Sequence, residues 1–286
     1  MAKKNTEIAP IDNFVIANRY EGIDDETMAE LQDELDDLGQ DSGGIDCRII
    51  KIPAGGGMAY EVQGDEDDDV EYKKEITGVI VFTHRLNGYW PFKLGTDDNN
   101  KIPSCSSMDG KTGIDKDTGE IRSCDTCPYN QFGSATDDKG ETAKGKACKN
   151  MRRLYLMISG DPNFYLLTVP PTSIRDIEKK LKRIVSSGTS YAQTVISLKL
   201  EKATNAGGIA YSKVAIEKRS VLPPETAVAM SKIRKQLKAQ YASMAITFDD
   251  YAPSAATAEE LAAPAESSGQ SDFVEVSSNA PDLPFD

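Results

Sequence analysis

Four of the five cysteines fall between residues 105 and 148, in a spacing that suits a zinc site. Cys124 and Cys127 form a CxxC pair; eighteen residues separate it from Cys105, and twenty from Cys148. The intervening Gly, Asp, Ser, Thr and Lys residues bury too little apolar surface to offset their ordering entropy. Four thiolates around Zn²⁺ would supply folding free energy and leave no open coordination position. We therefore expect one structural zinc ion per chain.

Two disulfides or unrelated free thiols are the alternative to zinc. The opening residues MAKKNTEIAPIDN lack the apolar segment of a signal peptide, and no apolar run is long enough to span a membrane. We therefore expect a cytoplasmic protein, bacterial or virus-encoded, in a compartment where thiols stay reduced. An odd number of cysteines in a reducing compartment favours metal.

The chain offers little material for catalysis. It has one histidine, His84, and neither a GxxxxGK[ST] loop nor a GxGxxG motif. We expect no enzyme, no catalytic residues and no small-molecule substrate. A nuclease that works through carboxylates stays open as an alternative, although no acidic pair has an informative spacing.

The acidic net charge of −13 conceals a basic middle block. Residues 141–240 hold 19 Lys and Arg against 7 Asp and Glu, whereas residues 1–140 hold 14 against 30. Residues 241–286 hold 9 acidic residues and none that are basic. A concentrated positive field of this kind favours a polyanionic partner such as nucleic acid.

Aromatic and cationic residues interleave at the start of the basic block. Bases of a single strand stack on exposed rings, and Lys or Arg pairs with its phosphates. An aromatic patch in NGYWPFKLG, residues 87–95, could add stacking surface, while the alternative for the rings is that they cap the zinc module. The candidate nucleic-acid-binding residues are Tyr129, Phe132, Lys144, Lys146, Lys149, Arg152, Arg153 and Tyr155, with Tyr89, Trp90 and Phe92.

Periodicity predicts the elements that must position these residues. An apolar stripe on an acidic segment predicts a helix from Asp24, and a second stripe predicts a basic helix after Pro170, with Ser173 and Asp176 as a capping box. A third helix should begin near Pro224. Strand patterns are predicted from Asp46, Met58 and Glu75, in a hairpin around GDPN and in two long strands joined by TNAGG.

The last forty residues are small, polar and acidic, and we expect a disordered tail over residues 247–286. Its tip reads DLPFD, in which two acids enclose an apolar anchor. We expect this tip to dock on partner proteins through Asp282, Leu283, Pro284, Phe285 and Asp286.

Four segments resemble a family of phage and prophage zinc-containing single-stranded DNA-binding proteins: CDTCPYNQFGS, GKACKNMRRLYLM, LTVPPTS and NAGGIAYSK. The resemblance spans roughly Pro103–Leu222. The plan is similar to the helix-destabilising proteins of tailed phages, which have an OB-fold with an inserted zinc loop and an acidic tail. Those proteins use a His among their zinc ligands, and here four cysteines would take that place.

Residues and resemblance together predict a mixed β/α, mainly β fold. We expect an N-terminal arm and acidic helix over residues 1–44, then an OB-like barrel over 45–246 with a zinc loop at 103–150, then the tail. The expected function is largely sequence-independent binding of single-stranded DNA in phage replication or recombination, with the tail recruiting replication or recombination proteins. The alternative is a zinc-stabilised interaction adaptor, or a transcription or host-takeover factor, that does not bind single-stranded DNA.

Overall fold

The computed structural model describes residues 14–17, 24–37, 47–64, 69–91, 102–136, 140–205, 208–241 and 246. Within these ranges the chain is mainly β with three α-helices, as the sequence predicts. The helices are α1 (Asp25–Asp37), α2 (Pro171–Ser186) and α3 (Pro224–Gln240). The strands are β1 (Cys47–Lys51), β2 (Tyr60–Gln63), β3 (Val70–Lys73), β4 (Glu75–Tyr89), β5 (Cys105–Ser107), β6 (Thr112–Asp115), β7 (Ile121–Ser123), β8 (Ala135–Thr136), β9 (Thr142–Ala143), β10 (Lys149–Met157), β11 (Phe164–Val169), β12 (Thr194–Thr204) and β13 (Ala210–Val221).

Eleven of the described strands form one sheet, and β8 and β9 form a separate ribbon. The sheet runs in the order β3-β2-β1-β11-β10-β4, with β1 and β11 parallel and the other pairs antiparallel. Beyond β4 the sheet divides into two arms. In one arm, β12 pairs with the beginning of β4 and β13 pairs with β12. In the other arm, β5 pairs with the end of β4, and β6 and β7 follow in order.

The closed OB-like barrel expected from the resemblance is not formed by the described strands, which make an open sheet. The physical reason lies in β4, whose one edge carries both arms, so neither arm turns back to pair with β3. One contact does link the two ends of the sheet: Ser212 Oγ of β13 lies 3.0 and 2.9 Å from the carbonyl oxygens of Pro53 and Gly57 in the β1–β2 loop, and its single proton is shared between them.

Helix α2 covers one face of the sheet. Ile177, Leu181 and Ile184 recur at helical spacing and are buried against the sheet, as the apolar stripe predicts. Each such side chain stabilises the fold by about 1.5–3 kcal/mol. The opposite face of α2 keeps its lysines and arginines towards solvent.

The predicted capping box at the start of α2 is wrong. The residue before the helix is Pro170, and Pro171 occupies the first turn, where its missing N–H costs no helical hydrogen bond. Ser173 is fully buried, and its Oγ accepts a hydrogen bond from the backbone N–H of Val214 at 2.9 Å. The serine therefore ties α2 to β13.

Helix α3 packs on the other face of the sheet, through Met230 and Leu237. Tyr241 follows the helix and contacts the Phe82 ring, with centroids 5.0 Å apart. Further along, Ile246 packs against Leu86 and Met151. No helix in the described ranges combines the length and apolarity needed to cross a membrane.

Candidate functional site

The four clustered cysteines line a single small cavity of about 20 Å³. Cys105 begins β5, Cys124 follows β7, and Cys148 immediately precedes β10. The pairing of these three strands within the sheet brings the cysteines together. All four are free thiols. A Cβ added at Gly113 would lie 3.1 Å from Cys105 Sγ and 3.6 Å from Cys124 Sγ, so the position needs glycine for the sulfurs to approach.

Burial and mutual proximity both act on these thiols. Burial, and to a smaller extent the neighbouring cysteines, raise the pKa of Cys148 to about 12. Burial also raises the pKa of Cys105, and again Cys124 and Cys127 add to the effect. Thiolates crowded in this way oppose one another unless a cation lies between them.

As placed, the sulfurs surround the cavity without forming a coordination shell. No group of three or more His, Cys, Asp or Glu side chains in the described ranges is arranged to hold a metal ion. The donor set itself fits Zn²⁺ in type and number, since four cysteines are a usual structural zinc set. The cavity brings the thiols to one place, and tetrahedral ligation would require them to close further.

Side-chain amides hold the loop that joins these cysteines. Asn130 Nδ2 donates to the Cys124 carbonyl at 2.7 Å, and Gln131 Nε2 donates to the carbonyls of Asp125 and Cys127 at 2.9 and 3.2 Å. Asn150 Nδ2 of β10 donates to Asn130 Oδ1 at 2.9 Å. These bonds fix the loop to the sheet, and we call residues 102–136 with 140–148 the cysteine module.

A groove of about 1010 Å³ lies between the cysteine module and the rest of the sheet. Its walls are the loop after β1, the start of β10 and the first turns of α2. Strand β10 pairs with β4 from Lys149 onward but with β11 only from Arg152 onward. The first residues of β10 therefore form a strand edge inside the groove.

Four of the predicted nucleic-acid-binding residues line this groove: Phe132, Lys146, Lys149 and Arg153. The Phe132 ring is 82% exposed, which is exceptional for a phenylalanine, and Lys146 Nζ lies 5.1 Å from its centroid. Lys146 Nζ also donates to Asn130 Oδ1 at 3.2 Å. The module thus presents a ring and an ammonium group together at the mouth of the groove.

Other predicted residues lie near the groove without lining it. Lys144 is exposed on the module. The rings of Tyr89 and Tyr129 stack on each other, with centroids 4.3 Å apart and planes at 18°. Both tyrosines line the cysteine cavity, which is the capping role that the sequence left open.

The predictions for Trp90 and Tyr155 are wrong, because both rings are buried. Trp90 packs with Leu86 and Met151, and Tyr155 has no exposed surface. Tyr155 Oη lies 3.3 Å from His84 Nε2. Neither ring can stack on a base in this fold. Phe92 and the tail residues Asp282–Asp286 lie outside the described ranges, so their predicted roles stay predictions.

The two arginines of β10 are also less available than predicted. Arg153 touches the groove but is only 2% exposed. Arg152 Nη2 donates to Glu178 Oε1 at 2.6 Å, and its Nη1 donates to Thr83 Oγ1 at 3.0 Å. In the structure Arg153 is therefore buried, and Arg152 is held by Glu178 and Thr83.

Groove residues that the sequence did not indicate include Lys51, Arg85 and Tyr211. Each lies in or at the end of a strand, where alternation alone does not tell a groove wall from an ordinary surface. A signal existed for Tyr211, since it stands within NAGGIAYSK, one of the segments that carry the family resemblance.

A second cavity of about 620 Å³ lies on the basic face of α2. Arg175, Lys179, Lys182 and Arg183 line it, and Arg175 and Glu178 line the groove as well. The groove therefore continues onto a row of cations on α2.

Comparison with known proteins finds no matching family model, no matching curated protein and no matching solved structure. The functional argument therefore rests on the geometry of this chain.

Proposed function

We propose that this protein binds single-stranded DNA, without strong sequence preference, in the groove between the cysteine module and α2. The observation that carries the proposal is the exposed Phe132 ring beside Lys146, at the mouth of a groove that leads to the basic face of α2. A ring with free surface offers any base a stacking partner, and a row of cations follows a phosphate backbone.

The chemistry of the groove favours a single strand over a duplex. Its lining includes apolar residues such as Ile49, Ile52 and Phe132, and cationic residues such as Lys51, Lys146 and Lys149. An unpaired strand offers both bases and phosphates, so it matches a groove lined by both kinds of residue. A duplex hides its bases and would present only phosphates.

In this proposal the four cysteines hold one Zn²⁺ ion as a structural element. Cys105, Cys124, Cys127 and Cys148 would be its ligands, and the metal would supply the folding free energy that the module lacks in apolar core. The metal would not contact DNA. The module would hold Phe132 and Lys146 in a fixed position relative to β10, and these side chains would bind the strand. With four protein ligands the site has no position for a substrate.

The acidic tail completes the proposal. Residues 247–286 would recruit replication or recombination proteins through the DLPFD tip, in phage replication or recombination. Ile246, the last described residue, belongs to the same hydrophobic cluster as Met151, which lines the groove.

Titration of a fluorescent oligo(dT), and of a matched duplex, by fluorescence anisotropy tests the proposal. We expect preference for the single strand, with log K falling against log salt at a slope of about −3 for four or five phosphate contacts. Lys146→Ala with Lys149→Ala should weaken binding and flatten the slope. The matched control is Lys111→Ala with Lys116→Ala, two exposed module lysines that do not line the groove.

The same titration separates the alternatives. Absence of DNA binding would overturn the proposal and favour the interaction adaptor. Cleavage of the oligonucleotide that depends on Mg²⁺ would favour the nuclease.

A further inference from the structure

Glu178 lies where the groove meets the cavity on α2, and it lines both. Its carboxylate accepts three charged hydrogen bonds. Arg85 donates from Nε to Oε1 and from Nη2 to Oε2, both at 2.7 Å. Arg152 donates from Nη2 to Oε1 at 2.6 Å. Two arginines from different strands thus converge on one anion at the centre of the proposed DNA path.

Arg85 binds the two oxygens of Glu178 in the bidentate way in which an arginine also binds phosphate. A guanidinium that offers two parallel N–H donors binds a carboxylate or a phosphate in the same way. The side chain of Arg85 is 57% exposed, so its other face is open to solvent, whereas Glu178 is only 15% exposed. Arg152 Nε is buried and has no hydrogen-bond partner in the described ranges, so the pair retains an unused donor.

We propose that Arg85 and Arg152 form a phosphate subsite, that Glu178 occupies it in the DNA-free protein, and that a backbone phosphate of the bound strand displaces the carboxylate. The inference rests on the proposed function, since the ligand is the phosphodiester of a single strand. It assigns to Arg85 a binding role that the sequence does not indicate.

Because a ligand must displace this carboxylate, the subsite is selective for a strand over a free anion. Glu178 stays ionised, because hydrogen bonds from Arg85, and then from Arg152, hold its pKa at about 2 in spite of burial. A ligand must therefore replace a full negative charge to gain the two arginines. A strand held elsewhere by Phe132 and Lys146 brings a phosphate at high local concentration, whereas a solitary anion does not.

The alternative is that Glu178 only links α2 to the sheet. The two roles predict opposite effects on DNA affinity when the charge of Glu178 is removed. If Glu178 has only a structural role, stability falls and DNA affinity falls or stays the same. If Glu178 occupies a phosphate subsite, stability falls and DNA affinity rises, because the arginines become free to bind the strand.

The experiment compares Glu178→Gln with the wild-type chain in oligo(dT) titrations over a range of salt. We expect a lower melting temperature, a gain in affinity of about three- to tenfold at low salt, and a slope steeper by about 0.7 for one added phosphate contact. The matched control is Asp176→Asn. Asp176 lies on the same helix and pairs with Lys213 at 2.6 Å, but it lines neither the groove nor the α2 cavity. Its loss should change affinity much less.

Arg85→Ala provides a second variant whose folding is not in question, since that side chain is mostly exposed. It should weaken binding alone, and it should abolish the gain from Glu178→Gln when the two are combined. Unchanged or weaker binding by Glu178→Gln, with wild-type binding intact, overturns the subsite and leaves the proposed function standing. Failure of the wild-type chain to bind oligo(dT) overturns both.

Inorganic phosphate at matched ionic strength separates a free anion from a strand. A rise in the melting temperature of Glu178→Gln with phosphate, without any gain for oligo(dT), would assign the arginines to free anions and overturn the DNA subsite.

Discussion

Phe132 is the most exposed of the large hydrophobic residues in the described part of the chain. Scattered surface hydrophobes are common, but a phenylalanine that is 82% exposed leaves nearly its whole ring in water. The loop that carries it is held by Asn130 and Gln131, so the exposure is built into the module. A fixed ring beside the Lys146 ammonium group is well placed to receive a base without further ordering.

Phe132→Ala should weaken oligo(dT) binding by about 1–3 kcal/mol, the usual contribution of one stacked base. Stability should hardly change, because the ring buries little surface. Anisotropy titration with a parallel thermal melt measures both quantities. Tyr72→Ala is the control, since Tyr72 is 56% exposed on β3 and does not line the groove. Equal losses in the two variants would contradict a stacking role for Phe132.

His84 makes a different, purely structural contribution. It is buried with Nδ1 2.8 Å from the Met108 carbonyl oxygen, and it packs against the rings of Phe82 and Tyr241. Burial, and to a smaller extent the nearby Arg153 and Arg152, lower the pKa of His84 to about 4. The folded protein therefore keeps this histidine neutral at physiological pH.

Stability should consequently fall as the pH drops from about 6.5 towards 4. In this window the unfolded chain binds a proton at His84 and the folded chain does not, so acidification favours unfolding by on the order of 3 kcal/mol in total. Above pH 6.5 the histidine adds no pH dependence to the free energy of unfolding. Denaturant unfolding at several pH values should show a shallower dependence between pH 5 and 6.5 for His84→Gln than for the wild-type chain. Identical slopes would contradict a buried neutral histidine.

At the scale of elements, the cysteine module is the part least able to fold alone. It contains five short strands, and two of them, β6 and β7, leave Ile114 and Ile121 more than half exposed. Few of its side chains reach a core, and its internal order comes from hydrogen bonds of amides and Asp turns, such as those from the N–H groups of Lys111 and Thr112 to Asp109 Oδ1. A metal at the four cysteines would supply what packing does not.

The wild-type protein should carry about one zinc ion per chain, and Cys127→Ser should lose most of it, because three thiolates bind zinc more weakly than four. Cys47→Ser is the control, since Cys47 lies in β1 and packs with the core on the α3 face. Elemental analysis after gel filtration measures the stoichiometry. Zinc clearly below one per wild-type chain would remove the metal from the proposal.

At the scale of the whole molecule, the tail and the groove differ in charge. Residues 247–286 contain acidic residues and no Lys or Arg, whereas the groove is lined in part by Lys51, Lys146 and Lys149. A tethered polyanion has a high effective concentration at a nearby cationic surface. The tail and a nucleic acid should therefore compete.

Deletion of residues 247–286 should tighten oligo(dT) binding at low salt, and the gain should shrink as salt screens both interactions. A chain of the same length in which Asn and Gln replace the acidic residues should behave like the deletion. Unchanged affinity in both variants would show that the tail does not occupy the groove.

The sequence by itself determined the elements and the chemistry that depends on neighbours along the chain. The stripe of Ile177, Leu181 and Ile184 predicts the buried face of α2, because helical periodicity is local. The spacing of the four cysteines predicts their convergence on one cavity. The charge counts predict a basic region, since composition needs no fold. The pattern could not say which rings would be buried, and Trp90 and Tyr155 proved to be core.

Only the tertiary structure decided how distant segments meet. Arg85 and Glu178 stand 93 positions apart, yet they form the bidentate pair that gives the groove its proposed subsite. The sheet stays open because both arms pair with one edge of β4, a choice that depends on competition among strands remote in sequence. Burial and ion pairing are properties of the assembled chain, because each depends on which surfaces the remote strands cover.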